Sequence, residues 1–263
     1  MTISDLELIE RAALEAGELA LRFKREGRVQ TWSKPGGSPV TNADLAVDRQ
    51  LNEQLTGARP DYGWLSEETA DDLARLEAKR VFVVDPIDGT IAFIKNRPFW
   101  TVAIAVVEEG QPVAGVLYAP ELGETYIAEA GMGARRNGEP IAVADRPMLE
   151  GCALLADDRT LRHPGWARPW PEDLRIESRN SVAYRMALVA ATEFDAVLAL
   201  SSKCDWDLAA ADLIVREAGG ISTDHLGRPF AYNQASTRKP SLVSAAPRLH
   251  ELIVGRVSHI ELT

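Results

Sequence analysis

The chain has 263 residues, 46% hydrophobic and 26% charged, with a formal net charge of −10 at pH 7. That length supports a real hydrophobic core, in one large domain or two modest ones. The acidic balance excludes a nucleic-acid polymer or an anionic membrane as partner, since both require a basic face, and admits a small anionic substrate only where local cations hold it.

The N-terminus, MTISDLELIERAALEAG, is acidic and amphipathic and lacks the basic and apolar regions of a signal peptide. No apolar run approaches the ~20 residues of a membrane helix. The two cysteines, Cys152 and Cys204, suit a reducing compartment, so a cytoplasmic protein is expected.

Ser4 and Glu7 form a capping-box pattern, and Leu6, Ile9, Ala13, Ala16, Ala20 and Phe23 then recur at helical spacing. This predicts a first helix that ends near Glu26-Gly27. WSKPGGSPVTNAD (32–44) reads as a loop, and a second helix is expected from about Asp44 to Leu55. GWLSEETADD reads as a short strand or turn leading into an acidic stretch. VFVVD and TVAIAVVEEGQPVAGVLYAP predict strands, the second segment folding as a hairpin around Glu109-Gly110. GETYIAEAG and GARRNGEPI continue an antiparallel sheet. Beyond residue 150 the pattern changes to helix SVAYRMALVAATEFD with Ser181 as N-cap, strand AVLAL, helix DWDLAAADLIVREAGG closed by Gly219-Gly220, strand SLVSAA and helix PRLHELIVGRV. The fold class expected is α/β with an α+β N-terminal part, divided as 1–147 and 148–263 and closely packed.

Three acidic clusters fall at element ends: Glu67-Glu68, Asp85 with Asp88, and Asp205 with Asp207. Singly, each has a structural reading as solvated loop, turn signal or helix cap. Together they describe an all-oxygen site. Pro86 stiffens the turn, the Ile87 carbonyl lies between Asp85 and Asp88, and Glu67 and Asp207 complete the set. Such carboxylates need cations, and oxygen-only ligands favour Mg²⁺, with Mn²⁺ as a substitute. His163, His225, His250 and His259 lie outside these motifs, against zinc. Gly89-Thr90 opens TIAFIKN, whose free N–H groups would suit a phosphate. The Thr90 hydroxyl can orient a water, and Asp44 reads equally as its base or as the N-cap of the second helix.

GWLSEE, VFVVDPIDGT and WDLAAADLIVREAGG, with SPVTNAD before them, resemble the signatures of the inositol monophosphatase superfamily over nearly the whole chain. The resemblance implies a layered αβαβα sandwich of the inositol monophosphatase and fructose-1,6-bisphosphatase type. It also implies a Mg²⁺-dependent, lithium-sensitive phosphomonoesterase with two or three ions. By motif, Glu67, Asp85 and the Ile87 carbonyl hold one ion, and Asp85, Asp88 and Asp207 a second. Asp44, Glu67 and Thr90 serve catalysis, and Asp88, Gly89, Thr90 and Asp207 lie at the phosphate. Relatives are often dimers, so a homodimer is admitted.

The position seven residues before Asp207, a Glu that contacts inositol hydroxyls in the animal enzymes resembled, is Leu200 here. With KPGGSPVTNAD and FIK, this leans toward the 3′(2′),5′-bisphosphate nucleotidase branch, which converts 3′-phosphoadenosine 5′-phosphate to AMP and phosphate. The alternatives are inositol 1-phosphate or another sugar phosphate. A second phosphate needs a cation, and Lys203, Lys95, Arg97 and Arg185 lie near the motifs, although each also reads as a surface charge and Asp205 is placed to neutralise Lys203. Two readings of other classes are a phosphoaspartate phosphatase, whose D-x-D-G-T motif is one residue shorter than D-x-x-D-G-T here, and a non-catalytic metal- and phosphate-binding regulator, against which the full ligand set counts.

Overall fold

The computed structural model describes residues 3–161 and 165–262, with backbone only at 158 and 159. Helix α1 (Asp5–Arg25) starts at the predicted Ser4/Glu7 capping box. Segment 31–41, expected as loop, is an antiparallel ribbon of β1 (Thr31–Ser33) and β2 (Pro39–Thr41). Gly36 and Gly37, both at positive φ, turn the chain so that the Lys34 N–H reaches the Ser38 carbonyl at 2.8 Å. Helix α2 (Asn42–Ala58) begins two residues before the expected start, because Thr41 rather than Asp44 is its N-cap.

A seven-stranded sheet follows, its strands adjacent in chain order: β3 (Gly63–Ser66), β4 (Arg80–Asp88), β5 (Thr101–Glu108), β6 (Gln111–Ala119), β7 (Glu124–Glu129), β8 (Ala134–Arg136) and β9 (Glu139–Ile141). Only β3–β4 is parallel. The acidic stretch before β4 holds a 3₁₀ turn at Leu73–Glu77, and the short helix α3 (Thr90–Ile94) separates β4 from β5. Strand β4 continues to Asp88 rather than stopping at Asp85. A register shift against β5 between these two residues bends its end.

The rest of the chain runs β10 (Ala153–Ala156), α4 (Asp158–Leu161), β11 (Arg175–Glu177), α5 (Val182–Ala190), β12 (Ala196–Ala199), β13 (Lys203–Cys204), α6 (Asp205–Glu217), β14 (Ile221–Thr223), β15 (Arg238–Lys239), β16 (Leu242–Ala245) and α7 (Pro247–Val257). Five of these strands form a second sheet, ordered β11-β10-β12-β16-β14, parallel across the first three and antiparallel beyond. Strands β11 and β14, of three residues each, are too short to show a periodicity in the sequence.

Side-chain alternation stacks the layers. Phe82, Val84, Ile104 and Val106 face α1 and α2, while Val81, Val83, Ala103 and Ala105 face α5 and α6. Leu155 and Val197 of the second sheet meet those same helices from the other side, and Leu154 and Leu198 face α7. The result is an αβαβα sandwich whose middle helical layer is shared by both sheets. Strands buried on both faces read as unbroken apolar runs, as β4 and β5 do. Helix α6 lies very close to its sheet: a Cβ added at Gly115 would sit 3.0 Å from the Ala210 carbonyl oxygen.

Candidate active site

Three structural ends meet at the C-terminal tip of β4. Asp85 is 1% exposed and accepts the Ile87 N–H at 3.0 Å, which turns the chain back toward Asp88. Asp88 reaches across to the start of α5. It accepts from the Ser181 hydroxyl at 2.5 Å and from the N–H groups of Ala183 and Val182 at 2.7 and 3.3 Å. Ser181 caps α5 as expected, and its link to Asp88 ties that helix to the first sheet. Asp207 sits in the first turn of α6 and accepts the Cys204 N–H at 2.6 Å. Carboxylate oxygens of Asp85, Asp88 and Asp207 lie within 4.8 Å of one another.

This proximity raises all three pKa values. Burial drives Asp85 well above the usual carboxylate range, with Glu67 and Asp88 adding to it. Burial lifts Asp88 to about 6 against the hydrogen bonds from Ser181, Ala183 and Val182. Burial, then the Asp88 charge, pushes Asp207 to about 7. Three like charges held this close require a cation or bound protons. All the donors are oxygens, so the set fits a hard divalent ion.

Glu67 lines the same cleft, but its carboxylate accepts from Lys34 Nζ at 2.9 Å, and Glu68 does so at 2.7 Å. Lys34, on the ribbon turn, went unrecognised in the sequence because its partners lie over thirty residues away. Asp44 is 1% exposed and sits at the third position of α2, not at its cap. One of its oxygens accepts the Thr41 N–H and hydroxyl at 2.9 and 2.5 Å, while the other lies 3.2 Å from the Thr90 hydroxyl. Burial, above all, holds the Asp44 carboxyl above its usual range. Thr90 Oγ1 is also 3.2 Å from the Ile87 carbonyl, so its single proton serves one acceptor at a time. Gly89, at φ 95°, lets the chain leave β4 and start α3; that helix has five residues, too short for a strong dipole.

The cleft has a volume of about 240 Å³. Besides the carboxylates its polar lining includes Ser38, Asn180, Ser202 and Lys203, of which only Lys203 was expected. Lys203 Nζ donates to the Ser201 hydroxyl and carbonyl at 2.8 and 3.2 Å. Burial, foremost, lowers its pKa, while Asp207 opposes that. Asp205 does not neutralise it: its carboxylate turns away to Lys239 at 2.5 Å and to the Asn233 N–H at 2.8 Å. The other expected cations are not on the cleft wall. Lys95 and Arg97 are exposed, and Arg185 is buried against the Arg179 carbonyl and Asp157. Leu200 packs against the β-sheet core beneath α7. His225 and His250 are buried on Ser241 and Thr223, His259 meets the Gly165 carbonyl, and His163 lies outside the described residues. A larger cavity of about 750 Å³, bordered by Arg168, Arg248 and Leu252, lies elsewhere and shares no lining residue with the carboxylate cleft.

A sequence profile of the inositol monophosphatase family matches residues 4–261. The chain belongs to the inositol monophosphatase family. Nus factor SuhB of Pasteurella multocida is 32% identical over 260 residues, 96% of this chain and 95% of its own length. The 3′(2′),5′-bisphosphate nucleotidase CysQ of Aggregatibacter actinomycetemcomitans is 31% identical over 248 residues, 89% of each chain. The solved structure of a Thermotoga maritima IMPase shares the fold at a TM-score of 0.83 and 30% identity, covering 97% of both chains. The family comprises metal-dependent phosphatases of small phosphorylated compounds, and this member is a phosphatase built on the family's sandwich. No helix among the described residues is long and apolar enough to cross a membrane.

Proposed function

We propose that this family member is a Mg²⁺-dependent, lithium-sensitive 3′(2′),5′-bisphosphate nucleotidase of the cytoplasm, cleaving 3′-phosphoadenosine 5′-phosphate to AMP and phosphate. The observation that carries the substrate is Lys203. It is the cation among the described residues that line the cleft, it bonds only to serine and backbone oxygens among the described residues, and Asp205 is committed elsewhere. A second anionic group on the substrate would meet it there. The similarity to CysQ supports the same reading.

Glu67 and Asp85 with the Ile87 carbonyl are the proposed ligands of one ion, and Asp85, Asp88 and Asp207 of a second. When bound, the ions supply positive charge to the phosphoryl oxygens and the leaving oxygen and make a water more acidic. The Thr90 hydroxyl orients that water, and Asp44, 3.2 Å behind it, accepts the proton through Thr90. Burial makes Asp44 a stronger base than an exposed aspartate. The water oxygen then forms its bond to phosphorus as the phosphorus–oxygen bond of the leaving group breaks, and the leaving oxygen takes its proton from solvent water. Asp88, Gly89, Thr90 and Asp207 form the phosphate side of the cleft.

The second reading, inositol 1-phosphate, is favoured by one observation. Ser38, Asn180 and Ser202 place neutral polar groups where hydroxyls would be bound. Phosphate release from the nucleotide and from inositol 1-phosphate, each with Mg²⁺ and a chelator control, separates the two.

A further inference from the structure

Asp48 lies on α2, one helical turn after Asp44, and is 7% exposed. It does not line the cleft. Its carboxylate points at the chain leaving β3. Oδ1 accepts from the Ser66 hydroxyl at 2.5 Å, and Oδ2 accepts from the Thr69 hydroxyl at 2.6 Å. Ser66 and Thr69 flank Glu67 and Glu68, so one carboxylate grips both ends of the segment that presents them.

The segment leaves the sheet at Ser66, which ends β3 in register with Val84 of β4, and the backbone hold weakens beyond it. The Glu67 N–H meets the Val84 carbonyl at 3.2 Å, and the Glu68 N–H is 3.4 Å from Ser66 Oγ. Lys34 engages the two glutamate side chains from the ribbon turn, meeting Glu67 through Oε1. The bonds to Asp48 involve neither glutamate side chain, so they hold the segment whether or not Glu67 also takes an ion. Charge-assisted hydroxyl–carboxylate bonds are stronger than neutral ones, and a carboxylate accepts from both partners at once. Among the described residues no ion pair joins Asp48 to a cation, and its side chain accepts from the Ser66 and Thr69 hydroxyls.

We propose that Asp48 is a positioning residue that fixes the Ser66–Thr69 segment so that Glu67 faces the cleft in a metal-binding orientation. This rests on the reading of Glu67 as a metal ligand.

The test is Mn²⁺ binding to the purified protein, followed by calorimetry and by the paramagnetic signal of free ion, with the metal-free melting temperature measured alongside. Outer-layer partners of metal ligands typically contribute roughly 10–100-fold in affinity. Asp48→Ala is expected to weaken the Glu67-dependent Mn²⁺ site by that order. Asp48→Asn keeps one acceptor and can donate to Thr69, so it should retain more affinity than Asp48→Ala. Thr69→Val, which removes one bond and little volume, provides a second route should Asp48→Ala not fold, and should weaken Mn²⁺ binding several-fold. Asp48→Ala combined with Glu67→Gln should bind no more weakly than Glu67→Gln alone, because both act on one ligand. If Glu67→Gln weakens Mn²⁺ binding while Asp48→Ala or Thr69→Val lowers only the melting temperature, the positioning role is overturned and the site reading stands. If Glu67→Gln leaves Mn²⁺ binding unchanged, the ligand reading and this proposal fall together.

Discussion

At the scale of single residues, the site is built from side chains that also hold the ends of their own or neighbouring elements. Asp88 offers its charge to the cleft while accepting the first N–H groups of α5. Removing the charge has two opposing effects on the metal-free protein. Asp88→Asn relieves repulsion with Asp85 and Asp207 but leaves one acceptor oxygen where two now hold the start of α5, so its metal-free melting temperature should change little. Its Mg²⁺ requirement should rise by an order of magnitude or more, given what charged ligands contribute. Full activity of this variant at low Mg²⁺ would contradict the assignment. Thr90→Ala removes the hydroxyl between Asp44 and the proposed water. Its kcat should fall by about 10²-fold or more, the scale of general-base catalysis, with a small change in KM. A change confined to KM would show that Thr90 only binds. The clustering of the three aspartates could be anticipated from the sequence because Asp85 and Asp88 share one tight motif at the end of β4 and Asp207 opens α6. Lys34, Asn180 and the Asp48 clamp could not be, because their meaning depends on partners brought together by the fold.

At the scale of elements, helix α6 carries Asp207 and is set by the closeness of Ala210 to Gly115 of the first sheet. Gly115→Ala would put a methyl group 3.0 Å from the Ala210 carbonyl oxygen and 3.2 Å from its Cα, both backbone atoms that cannot swing aside. The expected cost is about 1–3 kcal/mol in stability, the usual range for overpacking. A drop in Mg²⁺ affinity should accompany it, because α6 must shift with Asp207. Denaturant melts and metal titration of the variant check both. The helices were legible where a cap preceded a long periodic run, as at Ser4 and Ser181. The errors have local causes. The β1–β2 ribbon was masked by the proline and glycines of its own turn, and the start of α2 by Asp44, which caps from inside the helix rather than at its end.

At the scale of the whole molecule, the charge gathered between the two sheets couples stability to pH and metal. Asp88 at about 6, Asp207 at about 7 and Asp85, which burial raises well out of the usual range, all lie above the ordinary carboxylate value of 3.8. The folded state therefore binds more protons than the unfolded state from about pH 4 upward to these raised values. Stability of the metal-free protein must fall as pH rises through that window, and the deficit is complete above it. Melting in a chelator should thus occur at a lower temperature at pH 8 than at pH 5.5. Added Mg²⁺ should raise the melting temperature more at pH 8, where it replaces protons no longer bound. A chelated protein equally stable at both pH values would show that these carboxylates are not coupled to folding.

The layered architecture was legible mainly through the motif resemblance. Alternation along β4 and β5 is hidden when both faces are buried, and the short strands of the second sheet gain their identity only from their neighbours. The substrate stands one step further out, on the wall holding Lys203, where relatives of similar identity bear different names. The most direct measurement is Mg²⁺-dependent phosphate release from 3′-phosphoadenosine 5′-phosphate and inositol 1-phosphate, by the wild type and by Lys203→Ala. The nucleotide should be preferred by orders of magnitude. Lys203→Ala should raise its KM by roughly 10–100-fold, the worth of a hydrogen bond to a charged group, with little effect on inositol 1-phosphate. Faster release from inositol 1-phosphate, or indifference of the nucleotide reaction to Lys203→Ala, would contradict the account.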